Sequence, residues 1–285
     1  MRKFLSLALC ATLLMGLFTF AAGCQSSGSS DKTNPPASQE QLKVGMECDY
    51  PPFNWTQTTD ANGAVPIAGG KEFAGGYDVE IAKLLAAGMG KELVIVKTAW
   101  AGLPPAVQSG NIDAIIAGMS PTAERKQTID FSDHYYRSDL VLVVQKGSKF
   151  ENATSLQELA GAKVTGQLNT FHYTVIEQIP NVVKKTAMDD FPAMRVALES
   201  GIIDAYVSEK PEGVSATAAN PKFAMVEFAP GKGFQASDDD VAIAVGIKKG
   251  STELTAGINK VLSGLSEDQR KALMDQAIKN QPASN

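Results

Sequence analysis

The sequence predicts an α/β fold, with helices covering mainly parallel sheets in two similarly built lobes. Three observations carry this prediction. From Leu42 onward, short β-rich runs alternate with amphipathic helical stretches. The alternation resumes after the strand-like run DLVLVVQKG that begins at Asp139. One phrase also occurs twice, as AVQSGNIDA from Ala106 and as ALESGIIDA from Ala197. Each copy reads as a helix end, a Ser-Gly stop and a strand start, with Gly110 and Gly201 suited to the left-handed position that closes a helix.

In chain order, LKVGM from Leu42 is a strand and YDVEIAKLLAAGM from Tyr77 an amphipathic helix. ELVIVKTAW from Glu92 is a strand, LPPAVQS from Leu103 starts a helix, and IDAIIAGM from Ile112 is an apolar strand. The Gly-rich polar stretch between Asn54 and Gly76 is too long for a simple turn and predicts an elaborated hairpin. The second series runs AKVTGQ, HYTVIEQI, VVKKTA, FPAMRVALES and IIDAYVS, from Ala162 to Ser208. Residues Asp239 to Lys248 form a further strand, and two amphipathic helices end near Lys279. Chain crossings at about Arg137 to Leu140 and Ser237 to Asp240 divide the chain into lobe 1 (42–138 plus 240–285) and lobe 2 (139–239). Two crossings make a hinge, and a hinge between two lobes makes a cleft that can close.

The 285 residues are 44% apolar and 20% charged, enough to bury real cores. Asp plus Glu outnumber Lys plus Arg by 31 to 26, and no basic block occurs, which argues against nucleic acid or an anionic membrane surface as partner. Of the three cysteines, Cys10 and Cys24 fall near the N-terminus, so the folded part owns only Cys48 and cannot rest on a disulfide framework. Arg2 and Lys3 precede an uncharged apolar run from Phe4 to Phe20, which ends in Ala21-Ala22-Gly23-Cys24. This segment resembles a bacterial lipoprotein signal, which implies a signal peptide over 1–23, cleavage before Cys24 and acylation of that cysteine. Ala21 departs from the Leu that such signals usually carry. An uncleaved anchor is the alternative, and either reading places the remainder outside the membrane. Residues 24–41 lack large apolar side chains and read as a flexible tether.

Ligands of open α/β sheets sit at the carboxyl ends of strands. After IDAIIAGM comes Ser120-Pro121-Thr122-Ala123-Glu124-Arg125, in which Ser120 suits an N-cap and Pro121 the first helical position. Exposed amides there attract an anion, and Arg125 offers a planar fork to a carboxylate. The bland alternative is a capped helix carrying a solvated arginine. The string GMSPTAERKQTIDFSDHYY from Gly118, with YPPF at Tyr50 and GGYDVEIA at Gly75, resembles the extracellular solute-binding proteins of polar amino-acid ABC transporters. The likeness runs in order from Leu42 to Lys279.

That resemblance implies a two-lobe, type II periplasmic-binding-protein-like fold, and a free amino acid bound between the lobes for delivery to an ABC permease. It implies that Arg125 clamps the ligand carboxylate, aided by Gly118, Ser120 and Thr122. Gln167, Asn169, Thr170 and Phe171 would close from lobe 2, with Asn169 standing where many relatives have Gly. Glu209, five residues after Asp204, matches the acid that receives the ligand ammonium. Tyr50 and Trp100 match aromatic positions over the ligand side chain, and Glu47 matches a position that is often acidic. Aromatic faces beside a carboxylate suit histidine, arginine or lysine, with glutamine next. Alternatively, Trp100 packs under the hinge and Glu47 is solvated. His134 and His172 are the only histidines, and a cyclohexadienyl-dehydratase-like lyase on the same fold is the alternative function. No metal, nucleotide or catalytic motif is present, so the expectation is a monomeric, cofactor-free binding protein anchored through Cys24 outside the cytoplasm.

Overall fold

A computed structural model describes residues 40–282, so the leader, Cys24 and nearly all of the tether lie outside the described residues. The first apolar run becomes β1 (Gln41–Met46). Gln41, expected to end the tether, is already paired with Glu92. The Gly-rich stretch folds into a small antiparallel sheet of β2 (Asp49–Tyr50), β3 (Asn54–Gln57), β4 (Val65–Pro66) and β5 (Phe73–Gly75). Helix α1 (Tyr77–Gly88) follows at once, because Gly76 adopts φ 124°, where an added Cβ would meet the Phe53 carbonyl. Its Val79, Ile81, Ala82 and Leu85 are fully buried.

Then come β6 (Glu92–Lys97), α2 (Leu103–Ser109), β7 (Ala114–Ile115) and β8 (Ile129–Arg137). The second series is β9 (Leu140–Gln145), β10 (Lys163–Thr165), α3 (Phe171–Thr174), β11 (Val183–Lys184), α4 (Phe191–Glu199), β12 (Ala205–Glu209), α5 (Lys210–Ala219) and β13 (Phe223–Val226). The chain ends with β14 (Ala242–Lys248), α6 (Thr252–Leu262) and α7 (Glu267–Asn280), the last started by a capping box between Ser266 and Gln269.

Two five-stranded sheets result, ordered β6-β1-β7-β14-β8 and β11-β10-β12-β9-β13. In each, four strands run parallel and the strand that arrives from the other lobe, β14 or β9, runs antiparallel. The repeated phrase has the same structure in both sheets. Gly110 and Gly201 take φ 80° and 74° after α2 and α4. Asp113 then accepts from the Lys43 amide at 2.8 Å, and Asp204 accepts from the Lys163 amide at 2.8 Å. The lobes are therefore two copies of one βα arrangement.

The chain leaves the first sheet after Arg137 and enters the second at Leu140. On the return, Val241 accepts from the Ser138 amide at 3.0 Å, so the two crossings are bonded to each other. Strand β14 starts at Ala242 rather than Asp239, because Ser237 and Asp240 close a turn first. Two local expectations fail. IDAIIAGM is a strand only over Ala114–Ile115, since Gly118 turns away with φ 61°. The helix expected to begin at Ser120-Pro121 is a single 3-10 turn over Arg125–Gln127. The chain must enter the β8 ladder by Ile129, which leaves no room for a longer helix. Thr122, not Ser120, serves that turn, accepting from the Arg125 amide at 3.3 Å.

Candidate ligand-binding site

The carboxyl ends of β1, β7, β10 and β12 converge between the sheets. A small, narrow cavity lies there, lined from both lobes. The first lobe contributes Tyr50, Trp100, Gly118, Ser120 and Arg125 to its wall. Gln167, Thr170, Phe171 and Glu209 face them from the second. Ala117, which sequence reasoning did not place, and His172, for which it left ligand edge and surface open, also line it. Glu47, Thr122 and Asn169 do not line the cavity, but each is bonded to a residue that does.

Arg125 is the cationic end. Its Nη1 donates to the Ser120 carbonyl at 2.9 Å and its Nη2 to the Asn169 carbonyl at 2.9 Å, spanning the lobes. Trp100 lies against it, with the guanidinium carbon 4.9 Å from the ring centroid. Trp100 thus orients the arginine rather than only covering a side-chain pocket. Burial pulls the Arg125 pKa down to about 10, which leaves the group charged at neutral pH. Asn169 takes φ 57°, a conformation that asparagine tolerates better than other residues with a side chain. Thr170 occupies the N-cap of α3, yet its hydroxyl donates to the Gln167 carbonyl at 2.6 Å instead of capping.

Glu209 is the anionic end, 3% exposed at the last position of β12. It stands at the N-cap of α5, but its side chain caps nothing and turns to the cavity wall. Tyr50 donates to its Oε2, and His172 Nε2 stands 3.0 Å from its Oε1. Burial pushes the Glu209 carboxyl up, but neighbouring His172 and the bonds from His172 and Tyr50 outweigh it, so the net direction is down. His134 is instead half exposed, 3.6 Å from Asp239 near the crossings. Stacking of Tyr50 on Phe191, with centroids 4.2 Å apart, packs the lobes together beside this pair.

Glu47 is 4% exposed, not solvated, and accepts from Gln167 Nε2 at 2.9 Å. Its Oε2, like Oδ1 of the neighbouring Asp49, has no hydrogen-bond partner among the described residues. Burial pushes the Glu47 carboxyl up to about 9, and the Asp49 charge adds to this. Behind the cavity, Asp78 accepts from Tyr135 at 2.7 Å and from Asn54 at 2.8 Å. Asn54 in turn holds the Cys48 amide, and Tyr135 accepts from the Gly118 amide at 3.2 Å. One buried carboxylate therefore ties the YPPF loop to the Gly118 turn. The described residues contain no cluster that could hold a metal and no helix long and apolar enough to cross a membrane.

Comparison with known proteins agrees with this geometry. The model of the bacterial extracellular solute-binding proteins, family 3, matches residues 42–279. A probable histidine-binding protein of Campylobacter jejuni is 32% identical over 245 residues, covering 84% of this chain and 87% of the relative. The ABC transporter glutamine-binding protein GlnH of Bacillus subtilis is 30% identical, covering 99% of this chain and 100% of the relative. Among solved structures, an amino acid ABC transporter substrate-binding protein of Streptococcus pneumoniae bound to L-arginine aligns with a TM-score of 0.70 at 28% identity. It covers 84% of this chain and 94% of that one. With its two lobes, two crossings and a cleft at the strand ends, the chain belongs to the bacterial extracellular solute-binding proteins, family 3.

Proposed function

We propose that the protein captures a free L-amino acid between its lobes and delivers it to an ABC permease. The observation that carries this reading is the pair of opposite charges on facing walls of one cavity, Arg125 from the first lobe and Glu209 from the second. A zwitterion bridges such a pair only when the lobes are closed, so binding favours closure about the crossings at 138–139 and 237–241. The aromatic faces of Tyr50 and Phe171 on the cavity wall favour a side chain that carries positive charge or donates hydrogen bonds. Arginine, lysine, histidine and glutamine are the candidates, and similar proteins are named for arginine, histidine and glutamine.

A melting panel with the twenty amino acids tests this. A ligand at a thousand times its Kd adds about 4 kcal/mol, a rise of about 10 °C for a chain of this size. Arg125→Ala abolishes the response, and a panel without any shift sinks the reading. In the same reading the protein is a monomer anchored through lipid on Cys24. The support is the leader sequence, and the test is palmitate labelling that Cys24→Ser removes. One observation favours a second reading, a lyase acting on a carboxylate: His172 pairs with Glu209 inside the cavity, as an acid-base couple would. Product formation that His172→Ala eliminates would establish it.

A further inference from the structure

The two histidines differ in what surrounds them. His134 is surface-placed, whereas His172 is 8% exposed with its Nε2 3.0 Å from Glu209 Oε1. The close approach of Gly166, where an added Cβ would lie 3.0 Å from the His172 backbone, fixes the start of α3 against the second sheet. The proton of a neutral imidazole is assigned to Nε2, because that nitrogen faces a carboxylate that can only accept. In that state His172 steadies Glu209 while leaving its negative charge available. A second proton changes the balance. The cavity wall then carries two cations, Arg125 and His172, against one anion, and charges this poorly screened act strongly on a third.

We infer that the ligand's α-ammonium and the positive charge His172 gains when a second proton reaches its Nδ1 are alternative counter-charges for Glu209, so that capture of an amino acid expels a proton in weakly acidic medium. This rests on the amino-acid reading above. The titratable and charged groups around the imidazole are Glu209 on β12, Tyr50 on β2 and Arg125 across the cavity. From α4 comes only the uncharged ring of Phe191, its centroid 6.4 Å away. His172 is thus a positioning residue whose protonation state sets how much of the Glu209 field a ligand feels. Reciprocal linkage gives the size: affinity rises with pH by up to about tenfold per unit while the imidazole still binds its second proton.

The probe is whichever of L-arginine, L-lysine and L-glutamine raises the melting temperature most. None of the three changes its own charge between about pH 5.5 and 7.5, while an imidazole can. Calorimetric titration of the full chain across that range is expected to show Kd falling as pH rises, with heats that depend on the buffer because a proton leaves. His172→Gln, which keeps a neutral donor for Glu209, is expected to lose most of the slope, keeping only what Asp49 and Asp78 contribute near pH 6, and His134→Gln to keep the wild-type slope. Nitrogen-15 spectra of the wild-type histidines at about pH 6 give the same answer without a variant, since ligand should move the His172 ring toward its neutral form. Binding with no pH dependence overturns the inference, as does a slope that survives undiminished in His172→Gln or vanishes in His134→Gln. An unmoved His172 ring overturns it as well. No binding of any amino acid overturns the functional reading, and this inference with it.

Discussion

Glu47 offers a test of how the site is built that needs no ligand. Its carboxyl is 4% exposed and lifted to about 9 from an ordinary value of 4.5, first by burial and then by Asp49. The folded protein therefore keeps a proton that the unfolded chain loses above about pH 4.5. Stability from this group is complete below that pH, falls as pH rises, and levels off only above about 9. Asp49 and Asp78 are raised to about 6, so their contributions to the slope end there. Between pH 6 and 8, Glu47 is left to set the slope among the described carboxyls, at about 1.4 kcal/mol per pH unit, or about 3 kcal/mol in all. For a chain of this size that is a fall in Tm of roughly 5–10 °C. Glu47→Gln keeps an acceptor for Gln167 Nε2 and has nothing to ionise. Thermal melts at half-unit steps should show a wild-type Tm that declines from pH 6 to 8 and a variant Tm that stays level. A variant that declines as steeply as the wild type would refute the assignment of a buried, proton-bearing carboxyl at this position.

Three further outcomes are expected. Gly118→Ala places a Cβ 2.8 Å from Tyr50 Cε1 at a residue with φ 61°, and should cost about 1–3 kcal/mol in melting stability while weakening amino-acid binding. Arg125→Lys loses the fork that reaches both Ser120 and Asn169, so calorimetry should show affinity at least about tenfold lower while the ligand-free melting temperature barely moves. In the second lobe, fully buried Glu212 accepts twice from Arg195, at 2.7 and 3.1 Å, and once from Tyr206 at 3.0 Å. Arg195→Met strands that carboxylate and should cost about 3–5 kcal/mol in chemical denaturation, much of it recovered when Glu212→Leu is added.

The elements legible in the sequence are those whose signals are local and agree with the tertiary context. Gly110 and Gly201 end helices as read, and Leu140 to Gln145 is a strand because both of its faces are buried, Val143 in one core and Leu142 and Val144 in the other. Glu209 came from the resemblance, which implies an acid five residues after Asp204, and the structure puts it on the cavity wall at the end of β12. The segment from Ser120 misled because its capping signals are real but weaker than the demand that the chain pair with β14 from Ile129 onward. Glu47, read as a residue of the ligand site, bonds to Gln167, a partner 120 residues away that only the docking of the two lobes brings near. His172 carried no motif at all. Its one usable signal is position, two residues after Thr170, in the short helix that follows β10 after a five-residue loop.

The internal repeat gives this cleft its polarity. Because Lys43 and Lys163 hold the same bonds to Asp113 and Asp204, positions in the two lobes can be matched by counting along the strands. Four residues after the lysines come Glu47 and Gln167, and these two equivalent positions bond to each other across the cleft. Five residues after the aspartates come Gly118 and Glu209. One equivalent position therefore has no side chain and the other bears a buried carboxylate, although the backbones that deliver them are alike. The turn at Gly118, closed over by Tyr50, adds no charge beside Arg125, whereas Glu209 makes the second lobe's matching position anionic. In the proposed reading, a symmetric frame carrying unlike residues at matched strand ends sets which way round a zwitterion lies. Exchanging the chemistry of that pair, as Gly118→Asp with Glu209→Gly, should abolish binding rather than reverse it, because Arg125 has no counterpart at the matching place in the second lobe, where residue 216 is Ala.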